Sequence, residues 1–343
     1  MLAWAYLSCA QSQNYWIGID PTPARLAAAK DALDRALALD PNLPETHLAL
    51  GYYRYFGQRD FPGGLAEFQQ AEKGLPNNVD VNRAIGLIQR RVGHWDEAIA
   101  GLRRAIELDP HDANGYDVLA MTYWGLRRFP EALATADRVL AWEPAYEPAL
   151  FVKAIVFWAT GDLQAVEPLL TNPGISPLVR GTQALYQRRY AAAIEKLSSA
   201  VAAKTKRGES SDDEQFLLGL SQQRAGDVAA ARATYEKAAK DIRRELEKVP
   251  PGSFHEADLR AKLGVAYAGL GEAASAIADG AYLRSTGGCR SRDSHSQAAA
   301  ADTVWLCDYS GAAATRSGVG SNPQRSSLSG IGRRKETMKA KKS

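Results

Sequence analysis

The side chains in this 343-residue sequence that could do chemistry are few and scattered. Five histidines, His47, His94, His111, His255 and His295, never fall into a metal-binding spacing such as H-E-x-x-H. His47 stands where the local pattern wants a large residue, so packing accounts for it, and His94 precedes a helix on the solvent side. No serine occupies a G-x-S-x-G elbow. The acidic run Asp212-Asp213-Glu214 reads as the first turn of a helix, where negative charge meets the positive end of the dipole. Three cysteines, Cys9, Cys289 and Cys307, are too few and too scattered for a disulfide framework or a zinc site. No catalysis, metal or cofactor is expected.

One pattern does suggest binding. Tyr55, Arg90, Trp124 and Trp158 recur in matching register near the ends of successive helices, with Tyr52, Phe56, Arg91, Met121, Phe151 and Ile155 close by. Aromatics and arginine are the anchors favoured at interfaces, and Trp beside Arg holds a peptide by packing and cation–π contact. The expected partner surface is therefore Tyr52, Tyr55, Arg90, Arg91, Met121, Trp124 and Trp158, with both arginines exposed. The same spacing would equally place Trp124 and Trp158 in the apolar layer between neighbouring helices. Both readings stand at this point.

The elements that must position these residues are helices in pairs. Stepping by 34 residues through 79–144 lands like on like: Ile85 on Leu119, Gly86 on Ala120, Val92 on Leu126, Trp95 on Phe129, Ala98 on Ala132, Pro110 on Pro144. A fixed period of this size marks a repeat array. In each unit a first helix carries a large residue followed by a small one (Ile85-Gly86, Leu119-Ala120), and only Gly or Ala lets the partner helix come that close. The second helix turns Ala98 and Ala105, or Ala132 and Val139, toward the first at helical spacing. Asp-Pro or Glu-Pro then stops it.

The two copies, VDVNRAIGLIQRRVGHWDEAIAGLRRAIELDP and ANGYDVLAMTYWGLRRFPEALATADRVLAWEP, closely resemble the tetratricopeptide repeat. The resemblance implies an all-α superhelix whose first helices line a concave groove that holds extended peptides. It also implies a protein-interaction scaffold. The carboxylate clamp of chaperone-binding members needs Lys and Asn on these first helices. Here Leu87, Asp117 and Val118 occupy that neighbourhood, so the clamp and a C-terminal EEVD-type ligand are not expected.

About eight hairpins are expected over residues 1–280. Residues 1–9 read as a first helix and 23–39 as its partner, joined by the long link QNYWIGIDPTP. One extra residue is expected near Phe61-Pro62-Gly63. Pro168 and Pro173 should cut one second helix short, and KTKRGESSDDE reads as a polar loop. Starting inside a repeat would expose Trp4 and Tyr6, since terminal repeats usually carry a polar cap, and that favours missing upstream sequence.

From about residue 281 the chain turns Ser/Gly/Arg-rich without helical periodicity, which reads as a disordered basic tail. A frameshifted remnant is the second reading. Permitted codons for residues 319–334, read one nucleotide later, can encode WDPIRNDPRFQALEEE, and residues 285–299 can encode LRGDADRAILTRKLL. Residues 20–61 resemble the repeat-bearing C-terminal halves of bacterial multidomain signalling proteins (CadC-like regulators, Ser/Thr kinases, adenylate cyclases), which commonly close on a segment like WDPIRNDPRF. No effector motif accompanies that resemblance, so a detached regulatory half is the alternative expectation. The net charge of +3 lacks a basic stripe outside the extreme C-terminus, so nucleic-acid binding by the array is not expected. No apolar run is long enough to span a membrane, and no signal-peptide pattern opens the chain, which points to the cytoplasm.

Overall fold

The structure, a computed structural model, describes residues 2–16, 19–251 and 253–285. The expectations for the tail beyond 285 lie outside the described residues. The described residues form an all-α array of helix pairs. In chain order these are α1 (Leu2–Trp16) with α2 (Pro23–Leu39), α3 (Pro44–Tyr52) with α4 (Phe61–Gly74), α5 (Val79–Val92) with α6 (Trp95–Leu108), and α7 (Ala113–Gly125) with α8 (Phe129–Leu140). Then α9 (Glu147–Thr160) is followed only by a 3₁₀ turn, Glu167–Thr171. The prolines at 168 and 173 do cut that second helix short. The last pairs are α10 (Pro177–Tyr186) with α11 (Tyr190–Arg207), α12 (Asp212–Ala225) with α13 (Val228–Leu246), and α14 (Phe254–Leu270) with α15 (Ala273–Ser285).

The large–small pairs explain why the helices pack so closely. A Cβ added at Gly86 would lie 2.8 Å from Leu102 Cγ and 3.1 Å from the Ala98 carbonyl oxygen. One at Gly219 would lie 2.7 Å from the Tyr235 ring. Ala98, Leu102, Ala105, Ala132 and Val139 are buried, so the second helices present the face their spacing implied. Asn78, Asp60, Ser176, Asp227 and Ser253 each cap a helix by accepting a backbone N–H.

Three local expectations change. First, α1 runs to Trp16, well beyond residue 9. The first four residues of the expected link, QNYW, are helix because Ser8, Ser12 and Tyr15 continue the buried face of α1, Ser8 donating its hydroxyl to the Ala29 carbonyl at 2.9 Å. Second, the extra residue is absorbed as a π-helical turn, Tyr53–Gln58, that ends on Arg59 in the left-handed region (φ 57°). It lies ahead of Phe61, whose Asp60-capped helix starts cleanly. Third, the polar loop shrinks to residues 208–211, because Lys204–Arg207 extend α11 and the acidic run opens α12.

Successive first helices pack on one another (α1 on α3, α5 on α7, α7 on α9, α10 on α12, α12 on α14), and no comparable packing joins successive second helices among the described residues. The stack therefore curves with its first helices inside. It curves far enough to meet itself: the His255 Nε2–H donates to the Tyr15 carbonyl oxygen at 2.8 Å, across 240 positions of sequence. The two rings meet edge to face at 6.2 Å.

Candidate functional site

The inner side of the curve is where the sequence placed a partner surface, and the structure divides the seven candidates. Tyr52 and Tyr55 are each 1% exposed and sit in the apolar cluster with Phe56, Phe68 and Ile88. The π-turn rotates Tyr55 and Phe56 inward, where they stack at 4.4 Å and Trp16 covers Phe56 at 5.2 Å. Burial removes both tyrosines from any surface a partner could touch. Arg90, expected exposed, is 8% exposed, its guanidinium 3.5 Å from the Thr122 hydroxyl. A hydroxyl on the next first helix holds it between the pairs.

Arg91, Met121, Trp124 and Trp158 are half-buried and present some surface. Arg91 donates from Nε to the Tyr55 hydroxyl at 2.9 Å and lies 5.0 Å over the Trp16 ring, so α1 shares it. Trp158 packs on the cluster of Leu150, Ala154 and Val179, and its indole N–H donates to Gln183 Oε1 at 2.8 Å. Trp124 packs against Leu119 and Val152, with its indole nitrogen buried and lacking an acceptor among the described residues. Both tryptophans thus belong in part to the packed layer and in part to the surface. One face of each ring belongs to the inter-helix layer, and a remainder is accessible.

Charges on the first helices are mostly paired. Arg83 bridges Asp80 and Asp112, the latter at 2.6 Å. His47 is tied to Glu67 by a 2.7 Å hydrogen bond, with Arg54 at 3.4 Å from the same carboxylate, so a polar contact and not packing alone explains it. The acidic run is more than a helix start. Glu214, 2% exposed, meets Lys204 at 2.8 Å, and Asp212 and Asp258 flank the Lys262 ammonium at 3.9 and 3.2 Å. Burial raises the carboxyls of Asp212 and Asp213, while the surrounding carboxylates hold Lys262 charged. Sequence reading missed this network because Lys262 lies on the next first helix, some 50 residues away. Asp117 on α7 differs: burial and the neighbouring Glu147 carboxylate raise its carboxyl to about 6. Burial lifts the Cys9 thiol to about 12, which leaves it inert at neutral pH.

No group of three or more His, Cys, Asp or Glu side chains among the described residues is arranged to hold a metal ion. No helix among them is long and apolar enough to cross a membrane. The arrangement packs apolar side chains and pairs charges.

The family profile described as tetratricopeptide repeat matches residues 53–113, 118–165 and 178–247, more than half of the chain. Among solved structures, a tetratricopeptide repeat protein from Parabacteroides merdae is 14% identical, with a TM-score of 0.50 over 77% of this chain and 99% of that one. PilW, a type IV pilus biogenesis factor, is 19% identical over 71% of this chain and 92% of its own, with a TM-score of 0.38. YrrB, a TPR protein with an unusual peptide-binding site, is 17% identical over 50% and 83%, with a TM-score of 0.37. At these identities the likeness is one of fold. No curated protein matches the chain.

Proposed function

Because the chain belongs to the tetratricopeptide repeat family, we propose that it is a non-catalytic scaffold that binds a protein or extended peptide along the inner side of the array. The observation that carries this reading is the row of half-buried side chains Arg91, Met121, Trp124 and Trp158 on successive first helices, on the side toward which the stack curves. The rings supply apolar contact with little entropy to lose, the Met121 thioether supplies an adaptable one, and Arg91 supplies a directed charge. A peptide laid there would cross three pairs, so affinity would come from several modest anchors.

The test is a random peptide display library panned on the wild-type protein. Enriched peptides should lose most of their affinity to Met121→Glu and keep it toward Arg104→Glu, which changes an exposed second-helix residue. No enrichment, or equal loss on both variants, would sink the reading.

A second reading, a regulatory half of a bacterial signalling protein, draws on the resemblance of residues 20–61 and on one feature of the first pair. Leu2, Tyr6, Leu7 and Leu39 are exposed apolar residues on α1 and α2, a surface suited to packing on a further domain. Sequencing the locus with its flanks, translated in both frames, tests it. The same sequence decides between a basic tail and a frameshifted one. A cytoplasmic location is part of the proposal and is checked by cell fractionation.

A further inference from the structure

Between the second helices α6 and α8, on the outer side of the curve, lies a groove of about 390 Å³. Its floor is α7, through Tyr116, Leu119 and Tyr123, and Ile106 and Ala134 stand in its walls. The floor holds one unmet polar atom. Tyr123 is 1% exposed, and its hydroxyl has no hydrogen-bond partner among the described residues. A buried atom left this way calls for a partner from outside the fold, a water or a bound group.

Two arginines mark the ends of the groove. The Arg103 guanidinium lies 5.9 Å over the Tyr123 ring, and that of Arg138 lies 5.7 Å over the Tyr116 ring. Those tyrosines are seven residues apart on α7, about 10 Å along the helix axis. Both arginines are exposed, and neither makes a hydrogen bond or a close ion pair among the described residues. Stacking uses the flat face of a guanidinium and leaves its N–H edge for an anion. The carboxylates in the lining are already engaged, Glu107 with Arg104 at 3.2 Å and Glu131 with Arg128 at 2.8 Å. The Arg128 hydrogen bond holds the Glu131 carboxyl below its ordinary range, and Arg103 adds only its field. Asp137, next to Arg138 in sequence, is tied to Lys153 at 2.6 Å. Each end of the groove therefore carries one positive charge in surplus.

From this spacing of charge we propose that the outer groove over α7 docks an acidic segment of a partner protein. The segment is an extended chain, apolar in its middle, with one carboxylate side chain reaching Arg103 and another reaching Arg138. In polyproline II geometry, positions i and i+3 share a face about 9 Å apart, which fits the separation of the two tyrosines. The groove lies on the opposite side of the helix pairs from the inner row, so this proposal and the inner-side reading fail separately.

The probe is acetyl-Glu-Leu-Pro-Glu-amide, titrated into the full chain by calorimetry and by NMR of the labelled protein. Replacing both glutamates by glutamine should weaken binding by about tenfold or more, the worth of charge-assisted contacts. Arg103→Glu and Arg138→Glu change exposed residues, and each should weaken the acidic peptide by a similar factor. The peptides Lys-Leu-Pro-Glu and Glu-Leu-Pro-Lys, capped alike, then fix the register. One should recover binding on Arg103→Glu and the other on Arg138→Glu, an exchange that a misfolded variant cannot produce. Met121→Glu, on the inner row, should leave the acidic peptide bound. Equal binding of the Glu and Gln peptides, no binding at millimolar concentration, wild-type binding by both arginine variants, or recovery by neither lysine peptide overturns the proposal. Binding of suberate without binding of the peptide would overturn the assignment to a protein segment.

Discussion

Residues 79–140 and residues 2–61 are built from the same helix pair and behave differently. In the central stretch each irregularity is a repeat feature. Gly93 and Arg127 turn the chain at equivalent places, and Gly86 and Ala120 admit the partner helix. Each pair there is satisfied by its sequence neighbours, as expected of a quasi-one-dimensional array. In the N-terminal stretch α1 is lengthened, α3 ends in a π-turn, and Tyr55, Phe56 and Trp16 stack into a block that the 34-residue pattern does not contain. These departures gather where the chain meets residues that are not next to it in sequence. The lesson is that a break in a repeat is itself a contact signal.

The largest effect should fall on the regular region. Leu102 is fully buried against Gly86, so Leu102→Ala should cost about 2–5 kcal/mol in urea unfolding followed by circular dichroism. A loss under about 1 kcal/mol would mean the central pairs relax around the cavity and are looser than their spacing implies.

A smaller effect of opposite sign is expected at Asp117. Its folded carboxyl titrates at about 6 against an ordinary 3.8, so between those values the folded state keeps a proton that the unfolded chain gives up. This group therefore lowers stability above pH 6, and the penalty fades as the pH falls from 6 toward 4. Asp117→Asn should stabilise the protein at pH 7 by on the order of 1–2 kcal/mol after solvent screening, with no gain near pH 3.5. Equal stability of the two proteins across that range would show that Asp117 is solvated.

The smallest effect on stability should come from the seam. His255→Ala removes one hydrogen bond and a ring contact, worth about 1 kcal/mol or less. Its consequence is geometric: amide exchange across α1 should accelerate, and the radius of gyration from X-ray scattering should grow. Unchanged exchange would make the N-terminal pair as self-sufficient as the central ones and erase the contrast between the two regions.

Much of the fold was legible, for an identifiable reason. Gly86, Ala98, Ala132 and Pro144 act over distances of one or two helices, and local sequence specifies local packing. The candidate surface was only partly legible. A position on a first helix was readable for all seven residues, but exposure depends on what the next pair and the π-turn bring to that position. Tyr52 and Tyr55 went under when α1 extended to Trp16, and Arg90 was taken between the pairs beside Thr122. Met121, Trp124 and Trp158 kept part of their surface because α7 and α9 follow the repeat without interruption.

By itself, the sequence determined the helix pairs, their close approach at glycine and alanine, and the shortened second helix after α9. Those depend on residue size, proline and helical periodicity, all of which act within some tens of residues. Only the tertiary structure decided that the array bends until Tyr15 meets His255, that a half-buried lysine on α14 serves an acidic turn on α12, and that a cavity with basic side chains lies at the seam. Small rotations between successive pairs add up along the stack. Their sum, which no single repeat carries, sets where the two ends of the array come together.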